Sequence, residues 1–142
     1  MAEDLWKRTA NDLAQMIAAG EVSSLEVVNA HLDRIGEVNG WLNAVTRVLA
    51  DEARTAAIEA DAVVATGEEL GPLHGVPVGV KDIFYAKGLR NSSGSPIYTD
   101  FVPDYDSTPV ALLRRAGAIV MGKTVTTQFA LSDPPPTRNP WN

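Results

Sequence analysis

The sequence contains no cysteine. That absence removes disulfides, thiol nucleophiles and thiolate metal sites together, so any chemistry must rest on other groups. Histidine is nearly absent too: His31 and His74 stand alone, and two isolated histidines without a clustered third ligand read as structural or solvated side chains. No apolar run approaches the roughly 18 residues that cross a bilayer, and the start, MAEDLWKRTA, places acids where a secretory signal needs bases. A cytoplasmic protein without a membrane partner is therefore expected. Positive charge is scarce, with 12 Lys and Arg against 18 Asp and Glu and a net charge of -6. A nucleic-acid partner requires a dense cationic face, so none is expected. The acid excess sits in residues 1–70, which hold 13 acids and 5 bases, and reads as the solvated side of a helical first half.

What is present is an ordinary globular composition: 142 residues, 45% hydrophobic and 21% charged, enough for one domain or a piece of one. Leu5, Leu13, Met16 and Ile17 recur at helical spacing, and Gly20 supplies the left-handed residue that commonly ends a helix. Ser23 and Glu26 form a capping-box pattern that opens a second helix, with Val27, Val28, Leu32 and Ile35 as its apolar face. Asn39-Gly40 predicts the end of that helix, and Trp41 to Leu49, rich in β-branched residues, predicts a strand. A third helix is predicted over about Asp51 to Ala65.

From Leu73 to Asp82 the sequence alternates, placing Val76, Val78 and Val80 on one face of a strand and Pro77, Gly79 and Lys81 on the other. Pro77 has no amide to donate, so this strand should begin its pairing after it or lie near an edge. Residues 88–107, dense in Gly, Pro, Ser and Asp, predict a long surface excursion. Thr108 as N-cap with Pro109 at the first helical position predicts a further helix, with Val110, Leu112 and Leu113 as its buried stripe and Gly117 as its stop. Ala118 to Met121 is the next buried strand. The order strand, helix, strand gives an α/β fold: N-terminal helices followed by part of a mixed, partly parallel sheet flanked by helices. The tail SDPPPTRNPWN favours extended polyproline geometry and ends on an aromatic with nothing after it to hold it, so the chain reads as interrupted.

A set of motifs runs through the second half in a particular order. It comprises Gly71 to Asp82 (GPLHGVPVGVKD), Gly88-Leu89, Gly94-Ser95-Pro96, Arg115 to Ala118, Gly122-Lys123-Thr124 and Thr137 to Pro140. Taken together this set resembles the amidase-signature family. The resemblance implies a large α/β hydrolase with a relay of a Ser, a second Ser preceded by a cis peptide, and a Lys; the lysine ending V-K-D in that family matches Lys81. It further implies that residues 1–142 are the N-terminal portion of a single domain, and that Pro-rich residues 132–142 lead into a Gly/Ser-rich segment, not in this sequence, that carries the cis serine, with the nucleophile further on. Residues 122–130 look closer to general amidases than to the glutamine-using tRNA amidotransferase subunits.

The chemistry accounts for a lysine in such a relay. A neutral amine can take a proton from a serine, but a lysine at its reference pKa of about 10.4 is almost wholly charged at pH 7. Lowering it by roughly three units costs about 4 kcal/mol, to be supplied by burial and by polar neighbours. Asp82 follows directly, yet adjacent strand residues face opposite sides, so it is expected to be structural and not to share a pocket with Lys81. Ser92, Ser93 and Ser95 are expected to form turns and not a serine-lysine dyad. Arg138 and Asn139 match the approach to the family's signature, and both a solvated or loop-fixing role and a substrate contact stay open for them.

Gly117 to Thr124 also satisfies the phosphate-loop pattern GxxxxGK[ST] letter for letter. Such a loop follows a strand and opens a helix, whereas here it follows a predicted helix and runs through the apolar Ile119-Val120-Met121, so nucleotide binding by Lys123 is not expected. The reading is thus an amidase acting on a small-molecule amide, with Lys81 as the base in the complete protein and no metal or organic cofactor required. Residues 1–142 alone are predicted inactive, and a homo-oligomer is possible. The alternative is a non-catalytic binding or assembly module derived from the same fold.

Overall fold

A computed structural model describes residues 2–141. After a short 3-10 turn at Ala2–Lys7 come helices α1 (Ala10–Ala18) and α2 (Ser24–Leu42), strand β1 (Val45–Val48) and helix α3 (Ala50–Thr66). Strand β2 (Pro77–Lys81), a long loop with a 3-10 turn at Pro96–Tyr98, helix α4 (Thr108–Arg115) and strand β3 (Ile119–Thr124) complete the regular elements, before a last 3-10 turn at Gln128–Ala130. The sheet order is β1-β3-β2, with β1 antiparallel and β2 parallel to the central β3. The expected mixed α/β architecture is present, and Pro77 opens a strand at the edge of these three, where its missing amide costs no ladder bond.

Local chemistry explains the helix starts. Ser23 accepts from the Glu26 amide while Glu26 accepts from the Ser23 amide, and Thr9 and Asp12 repeat the same box at α1. The apolar repeat that begins at Leu5 is therefore not one helix: Leu5 packs from the 3-10 turn, and Thr9 restarts the chain as α1. Gly20 does take the left-handed conformation, at φ 69°.

The strand predicted from Trp41 is shorter than expected, because α2 continues through Asn39-Gly40 to Leu42 and stops at Asn43, which adopts φ 54°. Asn39 stays inside the helix, and its side-chain amide pins the start of β1. Its Oδ1 accepts from the Ala44 and Val45 amides at 2.9 and 2.8 Å, and its Nδ2 donates to the Val45 carbonyl. Likewise α4 is capped by Ser107 and not by Thr108, the Ser107 hydroxyl being turned away to donate to the Tyr85 carbonyl at 3.0 Å. Val110 is buried, but Leu112 of the expected stripe is 54% exposed.

The two faces of the sheet have different covers. Ile119 and Met121 pack against Val28 and Leu32 of α2 and Ala53, Ala57 and Ala60 of α3. Alanines at this helical spacing let α2 approach closely, and Asp61 of α3 reaches across to accept from the Ser24 and Leu25 amides at the N-terminus of α2, at 2.6 and 3.2 Å. On the other face, Val80 and Val120 pack with Leu49, Ala86 and Val110.

Register between β2 and β3 contains one irregularity that decides the site. Val78 pairs with Val120, but Gly79 pairs with Gly122, so Met121 is an extra residue, a β-bulge. Simple alternation would place Lys123 on the Met121 face. The bulge reverses it, so that Lys123 pairs with Val80 and Lys81 with Thr124.

Candidate active site

Lys81 is the last residue of β2, at the carboxyl end of a parallel strand pair, the place where open α/β sheets bind ligands. It is exposed, on the face it shares with Gly79 and Thr124. Gly79 is small for a reason visible here: a Cβ at that position would lie 2.9 Å from Thr124 Cγ2, so the floor beside Lys81 is cleared of side chain. The Lys81 carbonyl accepts from the Phe84 amide at 2.9 Å, and the next amide, that of Asp82, donates to the Thr124 carbonyl at 2.8 Å. The backbone on either side of the lysine is thereby fixed, while its amine reaches outward.

Asp82 faces the opposite way and is buried, 4% exposed. Its Oδ2 accepts from the Ser92 hydroxyl at 2.5 Å and the Ser92 amide at 3.1 Å, and its Oδ1 faces Lys123 Nζ at 3.3 Å. Lys123 is 1% exposed and its ammonium donates to the Phe84 carbonyl at 2.7 Å and to Asn91 Oδ1 at 2.8 Å. Burial pushes this lysine below its ordinary pKa, and the Asp82 carboxylate opposes that shift. Oδ1 of Asp82 has no other donor, so the pair depends on each other for compensation.

The serines of the loop are tied into this network and not aimed at Lys81. Ser92 donates to Asp82 and accepts from the Gly94 amide at 3.1 Å. Ser93, at φ 52°, gives its amide to the Asp82 carbonyl and its hydroxyl accepts from Asn91 Nδ2. Ser95 accepts from Gln128 Nε2 at 3.1 Å. A cavity of about 460 Å³ opens beside them, with Asp82, Ser92, Thr126, Gln128 and the tail prolines Pro134 to Pro136 in its wall.

The remaining candidates have local roles. His31 Nδ1 and His74 Nε2 bond the Val27 and Ala60 carbonyls at 2.8 and 3.0 Å. Gly117 to Thr124 is a helix end running into a strand, with Ile119 to Thr124 engaged in the ladder, so the phosphate-loop pattern is a coincidence of letters. The Arg138 amide and the Thr137 hydroxyl both donate to the Leu42 carbonyl, tying the tail to the end of α2, and Asn139 Oδ1 accepts from the Trp141 amide. Among the described residues no group of three His, Asp or Glu could hold a metal, and no helix is long and apolar enough to cross a membrane.

The ion pair of Lys123 with Asp82 is the feature sequence reasoning missed. A lysine closing a run as apolar as Ala118 to Gly122 was the available signal, since such a charge needs a buried counter-charge. Its partner was hidden by the bulge.

Residues 26–142 match the Amidase family. The chain belongs to the amidase-signature family. It is 48% identical over 145 aligned residues to a glutamyl-tRNA(Gln) amidotransferase subunit of Acidothermus cellulolyticus, a match covering 98% of this chain and 29% of that protein. Among solved structures it is similar to the peptide amidase of Stenotrophomonas maltophilia (36% identity, TM-score 0.77, 84% of this chain and 25% of that one). It is also similar to a fatty acid amide hydrolase (28% identity, TM-score 0.84, 89% and 22%). The chain thus spans under a third of the length of these amidase-family proteins. The lean of residues 122–130 toward general amidases is not reflected in the relative from Acidothermus, which is an amidotransferase subunit.

Proposed function

We propose that the complete protein cleaves a carboxamide C–N bond by acyl transfer through a serine, with Lys81 as the base of a Ser-cisSer-Lys relay, and that residues 1–142 alone do not turn over. The observation that supports it is the placement of Lys81: an amine projecting from a fixed backbone at the carboxyl end of a parallel strand, over a floor cleared by Gly79, within an amidase-signature chain. In this mechanism the neutral Lys81 amine takes the proton of the relay serine, the nucleophilic serine attacks the amide carbonyl, and the proton is returned to the departing nitrogen. Water then releases the acid from the acyl-serine. Lys81 is open to solvent in this span, on the face it shares with Gly79 and Thr124.

A second reading has its own support. The 48% identity to an amidotransferase subunit favours the same C–N cleavage used to pass nitrogen onward to glutamyl-tRNA, in company with partner subunits. The intact mass of the purified protein comes first. A mass several-fold above 15.2 kDa is expected, followed by ammonia release from simple amides that Lys81→Ala abolishes. Ammonia release only in the presence of co-purifying partners would select the amidotransferase. Robust turnover by an isolated 142-residue chain would sink the proposal.

A further inference from the structure

We propose that Lys123 is a positioning residue that clamps the turn carrying Lys81, a role that deepens the reading of Lys81 as the base. Three oxygens from three points of the chain converge on one ammonium: Phe84 O at 2.7 Å, Asn91 Oδ1 at 2.8 Å and Asp82 Oδ1 at 3.3 Å. The first two accept hydrogen bonds and the third makes an ion pair, and all three anchors lie within ten residues after Lys81. Each anchor leads back to Lys81 or its neighbour. Phe84, whose carbonyl Lys123 holds, gives its amide to the Lys81 carbonyl. Asp82 is adjacent to Lys81, and Asn91 holds Ser93, whose amide in turn bonds the Asp82 carbonyl.

Packing alone does not call for a charge here. Lys123 sits at the end of an apolar layer formed by Val80, Ala86, Val110 and Val120, where an apolar side chain of similar length would fill the space without the cost of burying an ion. The chain instead spends a bulge at Met121 to turn Lys123 onto the Asp82 face. Bulges commonly re-aim a side chain next to a site. What the ammonium adds over a hydrocarbon is direction: it fixes the strand end, the turn and the loop relative to one another, so that the base is held in one place. Effective catalysis is sensitive to displacements of that base on the order of 1 Å.

The test compares wild type, Lys123→Met, the double variant Lys123→Met/Asp82→Asn, and Val28→Ala as a control that loosens the core away from the site. Amide hydrogen exchange, resolved over residues 82–93, is read alongside kcat and KM for amide hydrolysis by the complete protein. Lys123→Met is expected to speed exchange of 82–93 by about tenfold or more beyond any rise in α2 and α3, and to lower kcat by about tenfold or more with KM within about twofold. Should Lys123→Met fail to fold, the double variant, which leaves no unpaired charge, is expected to give the same pattern. Exchange of 82–93 that is unchanged, or that rises only in step with Val28→Ala, overturns the clamp. So does an unchanged kcat in a protein whose activity Lys81→Ala abolishes. If no Lys81-dependent hydrolysis exists, the base assignment fails by itself and the exchange comparison still decides the clamp.

Discussion

Where α2 meets α3 the contact is made by small apolar side chains, Ala53, Ala57 and Ala60 against Val28 and Leu32, with one carboxylate, Asp61, closing the helix end. Where β2 and β3 end, the contact is made by two buried charges and the backbone of a loop, with Asp82 and Lys123 each almost wholly out of solvent. The first region gains from burial of apolar area, which is forgiving of small shifts. The second gains little net energy from its ion pair, because desolvation offsets the attraction, but it tolerates no missing partner. The helical layer therefore behaves as support, and the strand end as the part whose geometry is specified.

The largest effect should come from unbalancing the strand end. Lys123→Met leaves the Asp82 carboxylate buried without its cation and is expected to cost about 3–5 kcal/mol in denaturant unfolding. Replacing both, as Lys123→Met/Asp82→Asn, should recover most of that loss, since the penalty lies in the orphaned charge. Equal losses for the single and double variants would mean that packing, and not charge, holds this region.

On the helical side the corresponding test is Asp61→Ala. It removes the acceptor of two amides at the start of α2 and a negative charge next to a helix N-terminus, for an expected loss of about 2 kcal/mol. The loss should be the same in the presence and absence of the Lys123 substitution, because among the described residues no hydrogen bond joins the two regions. A coupling beyond about 0.5 kcal/mol would show that the layers are not independent.

These two regions also differ in how much of them the sequence revealed, and for the same reason. The capping box Ser23-Glu26, the Gly20 stop and the apolar face of α2 are local patterns within one or two turns, and each appears where expected. Lys81 could be placed on the Gly79 face by alternation because β2 is regular. Three things could not be read locally. Asn39 looked like a helix stop but acts as a staple to β1, Ser107 takes the cap because of a contact with Tyr85 that is 22 residues distant, and Lys123 changes faces through a bulge defined only by pairing with β2. Each depends on a partner beyond its own element, which periodicity does not encode.

A smaller and pH-dependent effect belongs to Glu26. The amide and then the hydroxyl of Ser23 hold its carboxylate below the ordinary glutamate range. A depressed carboxylate contributes stability that is fully present above its unfolded pKa of about 4.3 and is lost as pH falls through the folded value. Glu26→Gln keeps an acceptor without the titration, so its stability should fall less than that of wild type between about pH 5 and pH 3. Ser23→Ala, measured at neutral pH, should cost about 1 kcal/mol as the loss of a helix cap.

The smallest expected effect on stability is at the residue assigned the largest effect on activity. Lys81 is exposed, and among the described residues its amine holds no hydrogen bond or ion pair, so Lys81→Ala should change stability by no more than about 0.5 kcal/mol. In the complete protein the same substitution should abolish amide hydrolysis, since in the proposed relay it is Lys81 that takes the serine proton. Lys123→Met should show the reverse proportion, a large stability loss with a partial loss of kcat. If Lys81→Ala instead destabilised the complete protein by several kcal/mol, Lys81 would be acting as a second structural lysine buried by the rest of the fold, and the division of labour between the two lysines would fail.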